Sequence, residues 1–200
     1  KMQGLEAKHA NTAKIGREAQ YTALKLIWDG ASTEEVVNAL KNHIQMIRMG
    51  QVPAKDLFSR ARLGKWLPPQ HEHPLIRQGA TNKSAKPDAK DETDQCYSTL
   101  GGVHRAAAWY NVVLADDTYP QMDKGDSYYT TFVKDGPTWI PSGGYVAFQD
   151  PEQIKDYVLD LDKIIEKNVI DKLDHMLYGI GSSNQVLRES TKQYKITDFM

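Results

Sequence analysis

Two pairs of carboxylates raise the question of metal-assisted phosphoryl chemistry: Asp91 with Asp94, and Asp116 with Asp117. Carboxylates at such range can hold two divalent ions that activate a hydroxyl nucleophile and neutralise a triphosphate. Neither setting suits that task. The lead-in to the first pair, Lys86-Pro-Asp-Ala-Lys90, cannot be the buried strand such a centre needs. The second pair ends the apolar run Val112-Val113-Leu114, where an acidic pair ordinarily starts a solvated loop. His71 and His73 offer two imidazoles between prolines, but no second ligand pair stands near them, so zinc is not expected. Cys96 forms no recognisable nucleophile pair with any histidine, and a small half-buried residue is its default role. Neither Gly-rich phosphate-loop pattern occurs in the sequence. Asn82-Lys-Ser84 fits a glycosylation sequon that matters only in a secreted chain. The expectation is no catalytic residue, no metal site and no cofactor held by this chain.

The cations are more suggestive. Arg60, Arg62 and Lys65 form a short basic cluster broken by Leu63 and Trp66. Apolar groups at that spacing can anchor a segment while guanidinium and ammonium groups face phosphates. Lys8, Lys14 and Arg17 lie near the start of the first predicted helix, and His104-Arg105 precedes an alanine run. The plain alternative for each is a solvated surface charge. The formal net charge is -1, so an anionic partner must be met by local clustering rather than bulk charge.

The elements that would position these groups follow from periodicity. A helix is predicted from about Asn11 to Asp29, capped by Asn11 or Thr12, with Ile15, Ala19, Ala23 and Leu26 on one stripe and Ile27 beside it. Gly30 stops it. Ser32-Thr-Glu-Glu35 is a capping box, followed by the stripe Val36, Val37, Leu40, Ile44 and Ile47, and Gly50 occupies the C-terminal cap. The two segments read as an antiparallel helical hairpin. Prolines 53, 68, 69 and 74 keep the next stretch irregular, and residues 78–95 are polar enough to be a surface loop. Ala106–Ala108, Trp109 and Val112 suit a closely packed helix. Strand-like runs at Tyr128–Val133 and Tyr145–Phe148 are separated by Gly136-Pro137 and Pro141-Ser-Gly-Gly144 turns. A last helix is expected from about Pro151 to Leu177, burying Ile154, Val158, Leu161, Ile165, Val169 and Leu173. The fold class is α+β: helices at both ends and a small β-containing middle.

Three segments, in order, resemble the C-terminal part of family B DNA polymerases. Lys1-Met-Gln-Gly-Leu-Glu6 is similar to the K-x-x-G-L-E stretch that leads from palm to thumb. Gly50-Gln-Val-Pro53 with Asp56-Leu57, Arg60, Leu63, Lys65 and Leu67 resembles the family segment that crosses into the thumb tip. Gly102-Val-His104 with Ala106–Ala108, then Lys124-Gly-Asp126 and Tyr128-Tyr129, resembles the family's third pattern. A further resemblance lies at Gln193, Ile196, Phe199 and Met200, which match the sliding-clamp-binding peptide except that Met stands at the final position. Such a peptide places its apolar residues on one side of a helical turn and its Gln amide in a polar pocket.

The resemblance implies a palm-to-thumb connection over 1–10, a thumb hairpin over 11–50, a tip over 51–149 with an inserted loop at 70–100, a C-terminal helix over 150–181 and a flexible tail over 182–200. It implies that Lys1, Lys8, Lys14, Arg17, Arg60, Arg62, Lys65, His104 and Arg105 meet primer–template duplex, in a salt-dependent and sequence-independent manner. It further implies a partner chain with exonuclease and palm, a sliding clamp, and magnesium held in the palm of the complete enzyme. The rival expectation is a non-catalytic adaptor for clamp and DNA, in which the Lys1–Glu6 stretch has no palm to dock on.

Hydrophobic residues at 40% and charged residues at 26% are ordinary for a globular chain. No apolar run reaches the roughly 18 residues of a membrane span, the first residues lack a signal-peptide core, and a single cysteine fits a reducing compartment. The expected location is cytoplasmic, associated with the nucleoid or within a host cytoplasm, with no membrane partner.

Overall fold

The computed structural model describes residues 11–64 and 102–191, which form an α+β protein of two compact units. One is built from the described residues up to Leu57 and those from Leu161 onward; the other lies between Phe58 and Asp160. The second unit overlaps most of the expected tip over 51–149.

The first unit is helical. Helix α1 spans Lys14–Trp28 and α2 spans Thr33–Arg48. The expected stripes form the core: Ile15, Ala19, Ala23, Val36, Val37, Leu40, Ile44 and Ile47 are all buried. Gly30 and Gly50 end the two helices with positive φ of 82° and 68°, where a side chain would be strained. The capping box is present: Glu35 N–H donates to Ser32 Oγ at 3.3 Å, and Ser32 N–H donates to Glu35 Oε2 at 2.7 Å. The Ser32 N–H, together with the Ser32 hydroxyl that donates to Glu35 Oε2 at 2.8 Å, holds the Glu35 carboxyl below its usual range. The cap of α1 differs from expectation. Ala13 occupies the position without a side-chain bond, and Thr12 before it is buried. Next, residues Ala54–Leu57 make a single 3-10 turn that buries Asp56 and Leu57.

The expected helix over 150–181 does not start at Pro151. Pro151–Ile154 is one 3-10 turn with an Asp150–Gln153 capping box, and Val158–Leu159 then forms a short strand with Val158 exposed. The cap specifies where a turn begins but not that it continues; here Asp160 N–H bonds to Phe132 O at 2.9 Å and the segment joins the sheet. The helical run begins at Leu161. It comprises α3 (Leu161–Ile165), a π turn (Glu166–Ile170) and α4 (Asp171–Gly179), burying Ile165, Val169 and Leu173 as expected. The π turn brings the Asn168 carbonyl against Gly16 of α1, so close that a Cβ on Gly16 would stand 1.9 Å from its oxygen. Gln20 Nε2, one turn on, donates to Lys172 O at 2.8 Å.

Of the expected tail over 182–200, the structure describes residues up to Thr191, and part of that stretch is helical. Asn184–Thr191 forms helix α5, with Leu187 buried and the Arg188 guanidinium donating to Glu166 Oε1 through Nε and Nη2 at 2.9 and 2.7 Å. Arg188 also reaches Asp171, which Lys167 pairs at 2.9 Å. Burial works to raise the Asp171 carboxyl, but Lys167 and its neighbours outweigh that and hold it low.

The second unit packs helix α6 (Gly102–Val113) on a small antiparallel sheet. Its strands are β1 (Ser59–Arg62), β2 (Ser127–Asp135), β3 (Tyr145–Phe148) and β4 (Val158–Leu159), in the order β1-β2-β3 with β4 also on β2. Ser59 faces Thr130, Arg60 faces Tyr129 and Arg62 faces Ser127; on the other side Tyr129 faces Phe148. The core holds Trp109, Tyr110, Tyr128, Val146 and Phe148. Burial raises the Tyr128, Tyr145 and Tyr110 hydroxyls, so they act as neutral donors: Tyr128 to Val103 O, Tyr145 to Thr130 Oγ1, and Tyr110 to Tyr119 O.

The β2–β3 turn depends on glycine. Gly144 has φ 72°, and a Cβ there would lie 2.1 Å from Val133 O, whereas Gly143, with φ 86°, faces open space. Gly143→Ala should therefore cost only the left-handed backbone strain of about 1–2 kcal/mol. Gly144→Ala should cost about 1–3 kcal/mol more from the collision. Urea titration of both variants measures the difference; coincident midpoints would show that the contact is not tight.

Candidate nucleic-acid interface

Sequence periodicity left Phe58–Leu63 irregular, and the structure makes it a strand. Alternation is the signal that was there to be used: Arg60 and Arg62 are exposed while Ser59 and Ala61 are half-buried and Leu63 is buried. The strand pins both arginines on one face, two residues apart. Arg60 lies over the Tyr129 ring with Cζ 5.3 Å from its centroid. Tyr129 in turn stacks on buried Phe148 at 5.8 Å and 22°, and Phe58 meets Phe148 edge-on at 4.9 Å. A guanidinium held over a ring keeps N–H donors available to a phosphate and loses less rotamer freedom when it meets one. Tyr129 is thus a supporting residue whose role could be found only through the strand register.

Arg62 Nε donates to Gly125 O at 3.0 Å, which ties the strand end to the Asp123–Asp126 turn. The ladder runs on there, with Leu63 N–H to Asp126 O and Gly125 N–H to Leu63 O, both 2.8 Å. The acids of this turn are engaged by backbone: Asp126 Oδ2 accepts from Asp123 N–H at 2.7 Å and Asp123 Oδ1 from Lys124 N–H at 2.6 Å. His104 on α6 comes close to the same strand end, since a Cβ on Gly64 would lie 3.9 Å from its Nε2. Arg105 is half-buried, and its Nη1 has no hydrogen-bond partner among the described residues. The fold therefore groups Arg60, Arg62 and His104 in the second unit.

Lys14 and Arg17 belong to the first unit, on the outer side of α1. Lys14 is bound to Asp56 at 2.9 Å and to Glu18 at 3.4 Å, and the Asp56 hydrogen bond, with Glu18, raises its pKa. Much of its charge is thereby neutralised within the protein. Lys1, Lys8, Lys65 and the Gln193, Ile196, Phe199 and Met200 motif lie outside the described residues, as do His71, His73, Asp91, Asp94 and Cys96.

Asp116 is occupied by structure. Its Oδ1 accepts from Thr118 N–H at 2.8 Å and Tyr119 N–H at 2.7 Å, closing the loop after α6. A hollow of about 400 Å³ opens beside it, lined by Leu114, Asp116, Tyr119, Glu152 and Gln153 among others. Among the described residues no group of three His, Cys, Asp or Glu side chains converges to hold a metal. One oxygen of Asp116 is thus taken by backbone donors. Among the same residues, no helix is long and apolar enough to cross a membrane.

No family model matches the chain, and no curated protein matches it.

Proposed function

We propose that this chain is the thumb part of a family B DNA-directed DNA polymerase. It would hold primer–template duplex, with the catalytic aspartates and magnesium supplied by another chain or segment and the Gln193–Met200 motif tethering the assembly to a sliding clamp. The observation that carries the reading is the pair Arg60 and Arg62, exposed on one face of β1 with Arg60 braced on Tyr129. Two cations fixed two residues apart on a strand present donors to adjacent phosphates of one backbone and touch no base edge. The ordered segments from Lys1 to Tyr129 support the same assignment. Tethering raises the local concentration of the enzyme at its primer end, the physical basis of processive synthesis.

The test is primer extension by a candidate palm-bearing chain, with and without this chain and the clamp. Addition should raise primer affinity and, with clamp present, product length. Unchanged extension together with retained duplex and clamp binding would favour the adaptor instead. Arg60→Ala combined with Arg62→Ala should weaken duplex binding for every sequence alike and reduce the slope of log affinity against log salt by about one to two. A slope that does not move would assign both charges to solvent.

A further inference from the structure

The outer face of α1 carries more than cations. At 100° per residue, Lys14, Arg17, Glu18, Tyr21, Lys25 and Trp28 fall on one face, opposite the buried stripe of Ile15, Ala19 and Ala23. Large aromatics on that face stand in water: Tyr21 is 67% and Trp28 80% exposed. Neither contributes to the core, since Gly16, Gln20 and the alanines make the contacts with the rest of the unit. A hollow of about 330 Å³ opens along the face, lined by Lys14, Arg17, Glu18, Tyr21 and Thr22. The Nε of Arg17, one of the lining residues, is shielded from solvent and has no hydrogen-bond partner among the described residues. Lys25, between the two aromatics, has no ion-pair partner among the described residues either.

We propose that this face of α1 is a stacking platform for a single-stranded nucleic-acid segment. Tyr21 and Trp28 are seven residues apart, about 10 Å along the helix axis, on the order of three base steps at 3.4 Å each. Their rings offer sites for two unpaired bases, while Lys25 and Arg17 face the phosphates between and beside them. Duplex DNA makes poor use of such a face, because its bases are already stacked and its backbone needs only charge. With Lys14 taken up by Asp56 and Glu18, Arg17 and Lys25 are the cations that this face offers to a polyanion. The apolar part amounts to two separated rings, too little for a helix lying in a membrane interface. The inference stands on α1 alone and does not depend on the role given to β1.

The experiment titrates the full chain with a labelled oligothymidylate of about 12 nucleotides, a length within the usual span of single-strand sites, and in parallel with a duplex of equal length. Trp28→Ala and Tyr21→Ala should each weaken oligothymidylate binding about tenfold, the effect of losing one stacked base. Trp28→Phe should retain most of it, and duplex binding should be unchanged in all three. Both positions are solvent-exposed, so melting curves should superimpose on that of the parent. Loss of duplex binding by the Arg60 and Arg62 substitutions alone, with oligothymidylate binding intact, would separate the two surfaces. Absent oligothymidylate binding, or binding indifferent to Trp28→Ala, overturns the proposal. So does a Trp28→Ala defect confined to capture of the palm-bearing chain or of anionic vesicles, which would make the face a protein or lipid contact.

Discussion

Gly16→Ala should unfold or severely loosen the helical unit, with a loss of about 3 kcal/mol or more. The methyl group would be placed 1.9 Å from the Asn168 carbonyl oxygen, and the obstacle is backbone held in a π turn rather than the end of a flexible side chain. Overpacking a tight core usually costs about 1–3 kcal/mol, and this site has little room to relax. Retreat of Asn168 would break the neighbouring Gln20–Lys172 bond and draw Glu166 and Asp171 away from Arg188. The gain in helix propensity from replacing glycine, about 1 kcal/mol, is too small to compensate. Gly179→Ala provides the control, because nothing lies within 4 Å of its added Cβ. That change should be neutral or stabilise by up to about 1 kcal/mol. Denaturant midpoints of the two variants measure the contrast. A Gly16→Ala protein as stable as the parent would mean that α1 and the π turn are not in contact.

The sheet unit has its own weak point in Trp109. The ring is fully buried, meets Trp139 and Tyr157 edge-on at 6.4 and 6.2 Å, and donates its Nε1–H to the Trp139 carbonyl at 3.1 Å. Trp109→Ala would open a large void between α6 and the sheet and withdraw that donor, at a cost of about 3–5 kcal/mol. Trp109→Phe keeps much of the volume and should lose less, chiefly the hydrogen bond at about 1–2 kcal/mol plus a residual cavity. Guanidinium unfolding followed by near-ultraviolet circular dichroism checks both. A midpoint for Trp109→Ala within the scatter of the parent would contradict this packing.

Legibility in the sequence varied with how local the governing interactions are. Helix α2 could be read in full, from Ser32 and Glu35 through its apolar stripe to Gly50, because caps and periodicity are properties of a few neighbouring residues. Strand β3 was likewise bounded correctly at Tyr145 and Phe148 between its turns. The segment after Pro151 was misread because its fate depends on a distant partner: β2 claims Val158 and Leu159 through pairing with Val133 and Asp135. Helix α5 hides in a polar stretch, and its anchor is the ion-pair network of Arg188 with Glu166, 22 residues earlier. For the interface, Arg60 and Arg62 stood out as charges, but their common face and the Tyr129 brace are facts of strand register. The aromatic face of α1 was legible in principle. Tyr21, Lys25 and Trp28 follow the same period as the buried stripe, displaced to the far side of the wheel.

The helical unit is assembled from two stretches separated by everything between Phe58 and Asp160. During synthesis, the apolar faces of α1 and α2 emerge long before Ile164, Ile165, Val169 and Leu173, which complete their core. At about 5–20 residues per second, the interval is on the order of ten seconds. Throughout that time the sheet unit can fold as a self-contained insert, while the hairpin waits half-covered and open to misassociation. The nascent chain thus has an obligatory order of events, and chaperone capture should peak after the hairpin has left the ribosome and before Leu173 follows it.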